Sequence, residues 1–449
     1  MQMRNKIKTR DKKVLDINNY QHIYNEEEDL LGEGGQGAVY RTKDGDTALK
    51  IDNDKEVSLE KFKKKMERLI YKPLLDLDII TPLVLLKEQK GYVMKLLDNF
   101  KSLITLTPNG VKPDNFKEEE IPFFLQAMFK SNRIWACKIT HYKNTGGLRM
   151  RLFILKRIAC ILSALHLRGM VYCDLSPNNV FVSDSEKPIV KFIDADNIEY
   201  QSKIQSRIYT PNYEIPEIDK GNNSMYSDIY AFGILAFYLL TMAYPFVEIE
   251  RDWDSDNEQS KKIWEGEWID GKQFSGEYTE GLRGILSTEP LKDLFSTTFE
   301  EAKLTPHKRP IMPLWIKVIE NALNDTLRCP KCEMSYYDSY VESCPYCGEI
   351  KPLRVMIETK RARFVRELDS QVEVPLSLIE IAQLSNNKEI LFSIKKDKNN
   401  VIIEKKCDKK LRISNKEIFR QYKRPIDEFR HMTIEVDAYN MTLRIGSEI

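Results

Sequence analysis

The sequence predicts an α+β chain: a β-rich beginning, a mainly helical body, a short cysteine ribbon and a small β-rich end. Three observations carry that expectation. A glycine-rich turn, LGEGGQGAV, lies between two apolar runs near the start. Two apolar segments, 148–169 and 228–241, have the length and pattern of core helices. Two tight cysteine pairs, CPKC and CPYC, come late, and the chain beyond them turns charged and strand-like.

The chain has 449 residues, of which 42% are hydrophobic and 31% charged, enough for two or three domains with substantial cores. With 69 basic against 68 acidic residues, global charge selects neither nucleic acid nor an anionic surface as partner. Local basic runs, KIKTR at 6–10 and KFKKK at 61–65, read as a loose terminus and a solvated face. No apolar stretch follows the basic start, so no secretory signal is expected. The uncharged run 229–247 contains Pro245 and follows Asp228, which favours a buried helix over a membrane span. The expected location is cytoplasmic, where thiols stay reduced and paired cysteines point to metal.

In the first part, strands flank the glycine-rich turn, and Gly32, Gly34 and Gly37 have the spacing GxGxxG. Lying between two strands, this reads as a hairpin lid whose backbone amides cover phosphates, with Val39 against an adenine base. Lys50 follows on the third strand among Ala48, Leu49 and Ile51, a setting that requires anionic partners such as nucleotide phosphates. A helix is expected over 55–71, its apolar face made by Leu59, Phe62, Met66, Leu69 and Ile70. Glu67 on that helix is the expected partner of Lys50. Glu60 is the alternative, and an alignment on Pro73 would put Lys63 there. Two more strands surround the Gln-Lys-Gly turn at 89–91, a helix is expected near 118–138, and 250–285 reads as a surface insertion.

The stretch YCDLSPNNVF supplies Asp174 and Asn179, and VKFIDAD supplies Asp194. Loops favour Asp and Asn for their own hydrogen bonding, but further landmarks follow in order: TPNYEIPE at 210–217, DIYAFG at 228–233, Tyr244-Pro245-Phe246, and Arg309 in PHKRP. Across 31–320 this set resembles the eukaryotic-type (Hanks-like) protein kinases. The resemblance implies a bilobal protein-kinase-like fold, with ATP and Mg²⁺ as cofactors and a protein Ser or Thr hydroxyl as acceptor. It implies that Asp174 orients the hydroxyl, that Asn179 and Asp194 hold the metal, and that Arg309 pairs with Glu217.

The departures from the family pattern matter. Tyr172-Cys173 replaces His-Arg, which removes the arginine that answers an activation-loop phosphate. Ser176 stands where a lysine usually contacts the γ-phosphate. D-F-G has become Asp194-Ala195-Asp196, adding a carboxylate near the metal. The whole resembles a bacterial subgroup encoded beside a PP2C-type phosphatase and a von Willebrand A domain protein in tellurite-resistance-like stress or defence clusters, which implies those two as partners. A nucleotide-binding pseudokinase scaffold is the alternative, and a small-molecule kinase the more distant one.

Cys329, Cys332, Cys344 and Cys347 form two C-P-x-C knuckles 11 residues apart, the spacing of a zinc ribbon. Four thiolates fill a tetrahedral Zn²⁺ shell and leave no open position for catalysis, so the role is structural. The ribbon lacks a dense Arg/Lys surface, and nucleic acid is not an expected partner. The resulting layout is a basic extension at 1–27, an N-lobe at 28–99, a C-lobe at 100–325, a zinc ribbon at 326–350 and a small β-rich domain at 351–449.

Overall fold

The computed structural model describes residues 11–34, 37–55, 57–204, 209–217, 223–246, 263–272, 274, 283–360, 362–379, 390–437 and 439–447. By its internal packing the chain forms two units. One comprises residues 1–103, 165–210 and 220–228; the other comprises 104–164, 211–219 and 229–449.

The first unit contains a five-stranded antiparallel sheet in the order Leu30–Gly34, Gly37–Arg41, Thr47–Asp52, Gly91–Lys95, Pro82–Leu85. Gly37 (φ 143°) is required where it stands, because a Cβ there would lie 2.1 Å from the Ile51 carbonyl oxygen. The helix Leu59–Ile70 starts at Ser58, whose side chain accepts from the Lys61 N–H, and it buries Phe62, Met66 and Leu69.

Part of the segment expected to be a loose extension is a β-hairpin, Lys12–Leu15 paired with Gln21–Tyr24. The Asp16 carboxylate accepts from the Asn18 and Tyr20 N–H groups and closes its turn, while Tyr24 enters the core with Leu49, Leu86 and Val93. The KIKTR run lies outside the described residues. A second sheet joins Val190–Phe192, Val180–Ser183 and Phe100–Ser102.

In the second unit, the helix expected near 118–138 is broken into shorter pieces. Single 3₁₀ turns at Glu118–Glu120 and Phe123–Leu125 precede the helices Gln126–Ser131 and Arg133–Asn144. Pro122 interrupts the first part, and Asn132 starts a new helix by capping the Trp135 N–H. The helix Met225–Thr241 is buried almost all round from Ile229 on, with Phe232 against Trp315 and Phe237 against Phe295. No described helix is long and apolar enough to cross a membrane. Most of the 250–285 insertion lies outside the described residues.

The β-rich end consists of two antiparallel sheets. The first runs Arg363–Glu367, Arg354–Glu358, Tyr439–Gly446, Met432–Val436, Leu411–Ile413, Lys416–Ile418. The second runs Gln371–Pro375, Ile390–Asp397, Asn400–Lys405, Gln421–Pro425. Val355, Ile357, Val374, Phe392, Ile403 and Leu443 place both sheets on one apolar core.

A seam of charged groups ties this end to the rest of its unit. Arg149 forks onto Glu367 (2.5 and 2.7 Å) and also reaches Thr326. Buried Asp338 meets Lys351 at 3.1 Å, Arg354 at 3.0 Å and Arg363. Removing one member of such a group leaves buried cations uncompensated. Asp338→Ala is therefore expected to lower unfolding free energy by about 3–5 kcal/mol, read by chemical denaturation. A loss below about 1 kcal/mol, the range of an exposed pair, would show the seam to be ornamental.

Candidate active site

All the groups of the candidate site except the cysteines belong to the first unit. Lys50 sits in a central strand between buried Leu49 and half-buried Ile51, and its own side chain is 5% exposed. Its ammonium donates to Asp194 Oδ1 at 2.8 Å and to both oxygens of Asp196 at 3.3 and 3.2 Å. Burial opposes the charge, but the two carboxylates outweigh it and hold the ammonium above its usual pKa.

The expected pairing of Lys50 with Glu67 is not found. Phe62, Met66 and Leu69 set the phase of the helix, which leaves Glu60 and Glu67 exposed. Asp196 occupies the place proposed for the helix glutamate.

Asp174 is buried and both its oxygens are engaged. Thr210 Oγ1 donates to Oδ1 at 2.7 Å; Asn179 Nδ2 donates to Oδ2 at 2.9 Å and Asn197 Nδ2 at 3.4 Å. Burial pushes the carboxyl above its usual pKa, against the hydrogen bonds from Thr210 and Asn179. Asn179 Nδ2 also donates to the Asp174 carbonyl at 2.8 Å, so Oδ1 is the atom Asn179 could offer a metal. Burial likewise raises the Asp194 carboxyl, with Lys50 opposing and Asp196 adding to the rise.

Two left-handed residues shape these turns, Cys173 (φ 76°) and Asp194 (φ 52°). Asp tolerates that region better than Cys, so the Cys173 turn needs outside support. Asp228 provides it by accepting the Tyr172 and Cys173 N–H groups at 2.8 and 2.9 Å, while facing His166 Nε2 at 2.9 Å. Tyr172 then joins the two loops: its hydroxyl donates to the Ile193 carbonyl at 2.6 Å, and its ring packs on Phe192. Ser176 is fully buried, and its hydroxyl has no partner among the described residues.

Gly32, Gly34 and Gly37 lie on the first hairpin with Val39. No described atom lies within 4 Å of a Cβ placed on Gly32 or Gly34, so protein packing does not demand glycine there. Close passage of a phosphate would.

In the second unit, buried Arg309 forks onto Glu217 at 2.7 and 2.7 Å and lies over the Tyr230 ring, the expected pairing. The four ribbon cysteines also converge there, with all Sγ atoms within 4.8 Å of one another. Cys329–Cys347 and Cys332–Cys344 are 3.6 and 3.5 Å apart. A tetrahedron with ~2.3 Å metal–sulfur bonds has edges of roughly 3.8 Å, so the cluster fits a metal ion with small relaxation. Gly348 adopts φ 72° just after the second knuckle.

Residues 25–310 match the model of the protein kinase domain, more than half of the chain, and the chain belongs to that family. It is 25% identical over 316 residues to calcium-dependent protein kinase 3 of Plasmodium berghei, covering 68% of this chain and 49% of that protein. It is 34% identical over 102 residues to serine/threonine-protein kinase Pkn1 of Myxococcus xanthus, covering 21% and 15%. Human serine/threonine-protein kinase D3 is 29% identical over 150 residues, covering 32% and 16%. The chain thus spans about half the length, or less, of these relatives.

Sequence reasoning missed Thr210, Asn197 and His166 as members of the site. Thr210 opens the quoted TPNYEIPE run, and its hydroxyl was the available signal. Asn197 and His166 had none, since only the folded turn brings them to Asp174 and Asp228.

Proposed function

We propose that this chain is an ATP- and Mg²⁺-dependent serine/threonine protein kinase. The observation that carries the reading is Asp174, held at both oxygens by Thr210 and Asn179, on a loop joined through Tyr172 to the turn where Asp194 meets Lys50. In this reading Asp174 orients the acceptor hydroxyl and accepts its proton. Asn179 and Asp194 hold Mg²⁺, and Lys50 anchors phosphates. Gly32, Gly34 and Gly37 lend backbone amides, and Val39 packs against adenine. Mg²⁺, when bound, neutralises phosphate charge. Charge supports that fit, because Asp194 and Asp196 share the ammonium of Lys50, Asp174 lies within their field, and the Asp174 and Asp194 carboxyls are pushed upward.

The ribbon is read as a structural Zn²⁺ site on Cys329, Cys332, Cys344 and Cys347, supported by the sulfur spacing. The layout we favour keeps an N-lobe at 28–99, a C-lobe at 100–325, the ribbon at 326–350 and the β-rich domain at 351–449. Setting and partners rest on the sequence resemblance: cytoplasmic stress or defence signalling in a bacterium, with a von Willebrand A domain protein and a PP2C-type phosphatase.

A nucleotide-binding pseudokinase is the second reading, favoured by buried Ser176 in place of the phosphate-contacting lysine. The test compares ATP affinity and label transfer for the wild type, Lys50→Ala and Asp174→Ala. The kinase reading expects transfer by the wild type only. Binding without transfer selects the pseudokinase, and label on a metabolite but never on protein selects a small-molecule kinase.

A further inference from the structure

The arrangement around Lys50 departs from the one expected from the sequence. A buried ammonium needs a permanent counter-charge, and the helix Leu59–Ile70 does not supply it. Two carboxylates of one turn do, and they are not equivalent. Asp194 is 25% exposed, whereas Asp196 is 8% exposed, close to the 5% of Lys50 itself.

The backbone explains the division. Asp194 is left-handed, and Ala195–Asn197 then forms a 3₁₀ turn with buried Ala195, closed by the Asn197 N–H to the Asp194 carbonyl. That reversal sends the carboxylate of Asp196 inward, where both its oxygens meet the lysine. Among the described residues Tyr92 also faces Lys50, 6.0 Å from the ammonium to its ring centroid.

The same region fixes the helix by other means. Lys72, just beyond its end, donates to the Ile198 carbonyl. Asp78 pairs with Lys191 at 2.8 Å, and the Ile80 N–H bonds the Phe192 carbonyl at 2.8 Å. These contacts join the helix's exit to the strand and turn that carry Asp194, and among the described residues no glutamate of the helix reaches Lys50.

We propose that Asp196 is the positioning carboxylate of Lys50, so that the nucleotide-anchoring lysine keeps its orientation independently of the helix glutamates when Asp194 serves a metal. The proposal rests on the nucleotide-binding reading above. It implies that helix movement, which would make or break a lysine–glutamate pair, does not switch this site. Control must instead act on the Asp194–Asn197 turn or on the loops that hold it.

The experiment is a double-mutant cycle on the full chain with two readouts, affinity for a fluorescent ATP analogue and thermal stability. Asp196→Asn is expected to weaken binding by ~10-fold or more, whereas the joint Glu60→Gln/Glu67→Gln variant stays within ~2-fold. In a Lys50→Met background, Asp196→Asn should add less than ~2-fold, because a residue acting through the lysine has nothing left to position. Equal losses from Asp196→Asn with and without Lys50, or a Glu67→Gln loss matching Lys50→Met, would overturn the proposal.

If Asp196→Asn alone folds poorly, the Lys50→Met/Asp196→Asn chain should regain thermal stability, since no buried cation is left unpaired. A double variant no more stable than Asp196→Asn also overturns it. A wild type that binds ATP without transferring phosphate would defeat the kinase reading while leaving this cycle intact.

Discussion

Asp174→Asn is expected to cut phosphate transfer to protein by ~10²–10⁴-fold, the range for loss of a positioned acid–base group. Affinity for ATP should change little, because Lys50, Asn179 and Asp194 remain. The substitution keeps shape but reverses the hydrogen-bonding sense at one oxygen. Asp174 accepts from Thr210, Asn179 and Asn197, three donors around one side chain. The Thr210 hydroxyl can rotate to accept, but two amide nitrogens cannot. If the asparagine instead turns its NH₂ toward Asn179 and Asn197, donors oppose donors. The stability cost is therefore at most about 1–3 kcal/mol, too small to account for a thousandfold rate loss in folded protein. Comparing single-turnover transfer with nucleotide affinity separates the two effects. Equal loss of both would mean that Asp174 holds the site together rather than orienting the hydroxyl.

The second large effect concerns the cysteine cluster. Purified chain is expected to hold one Zn²⁺, and Cys332→Ser or strong chelation should remove it. Structural zinc contributes about 10–16 kcal/mol of apparent binding free energy in isolated zinc-finger peptides at neutral pH. Here part of the ribbon is also held by protein: the Tyr337 hydroxyl donates to the Leu286 carbonyl and Lys143 pairs with Glu333. Loss of metal should therefore open the two cysteine knuckles, residues 329–332 and 344–347, first and then weaken the seam built on Asp338 between them. The expected signs are a lower melting temperature and new protease cleavage near the ribbon. Zinc-free protein with unchanged melting and cleavage would remove the structural role.

Short-range spacing made much of the site legible. Asp174 and Asn179 are five residues apart on one loop, and CxxC pairs carry their geometry within a single turn. Lys50 was legible as a lysine among core residues. Its partner was not, because that depends on the phase of the helix Leu59–Ile70 and on a left-handed turn at Asp194. Read along the chain, Asp196 was simply one more carboxylate by the metal. In the fold it is the most buried anion facing Lys50.

The hairpin Lys12–Leu15/Gln21–Tyr24 carried a signal in its Asn18-Asn19 turn, but the basic run before it suggested a loose terminus. Strands in the β-rich end were readable one by one. Their order was not, since Arg354–Glu358 pairs with Tyr439–Gly446, which is distant in sequence, and only the shared core selects that register.

In the proposed function, the Lys50, Asp174 and Asp194 constellation transfers phosphate from ATP to a protein hydroxyl. Incubation of the purified chain with γ-labelled ATP and Mg²⁺, followed by phosphoamino-acid analysis, tests it most directly. Label is expected on serine or threonine of protein, abolished in Asp174→Ala. A wild type that binds ATP yet leaves every protein unlabelled would contradict it.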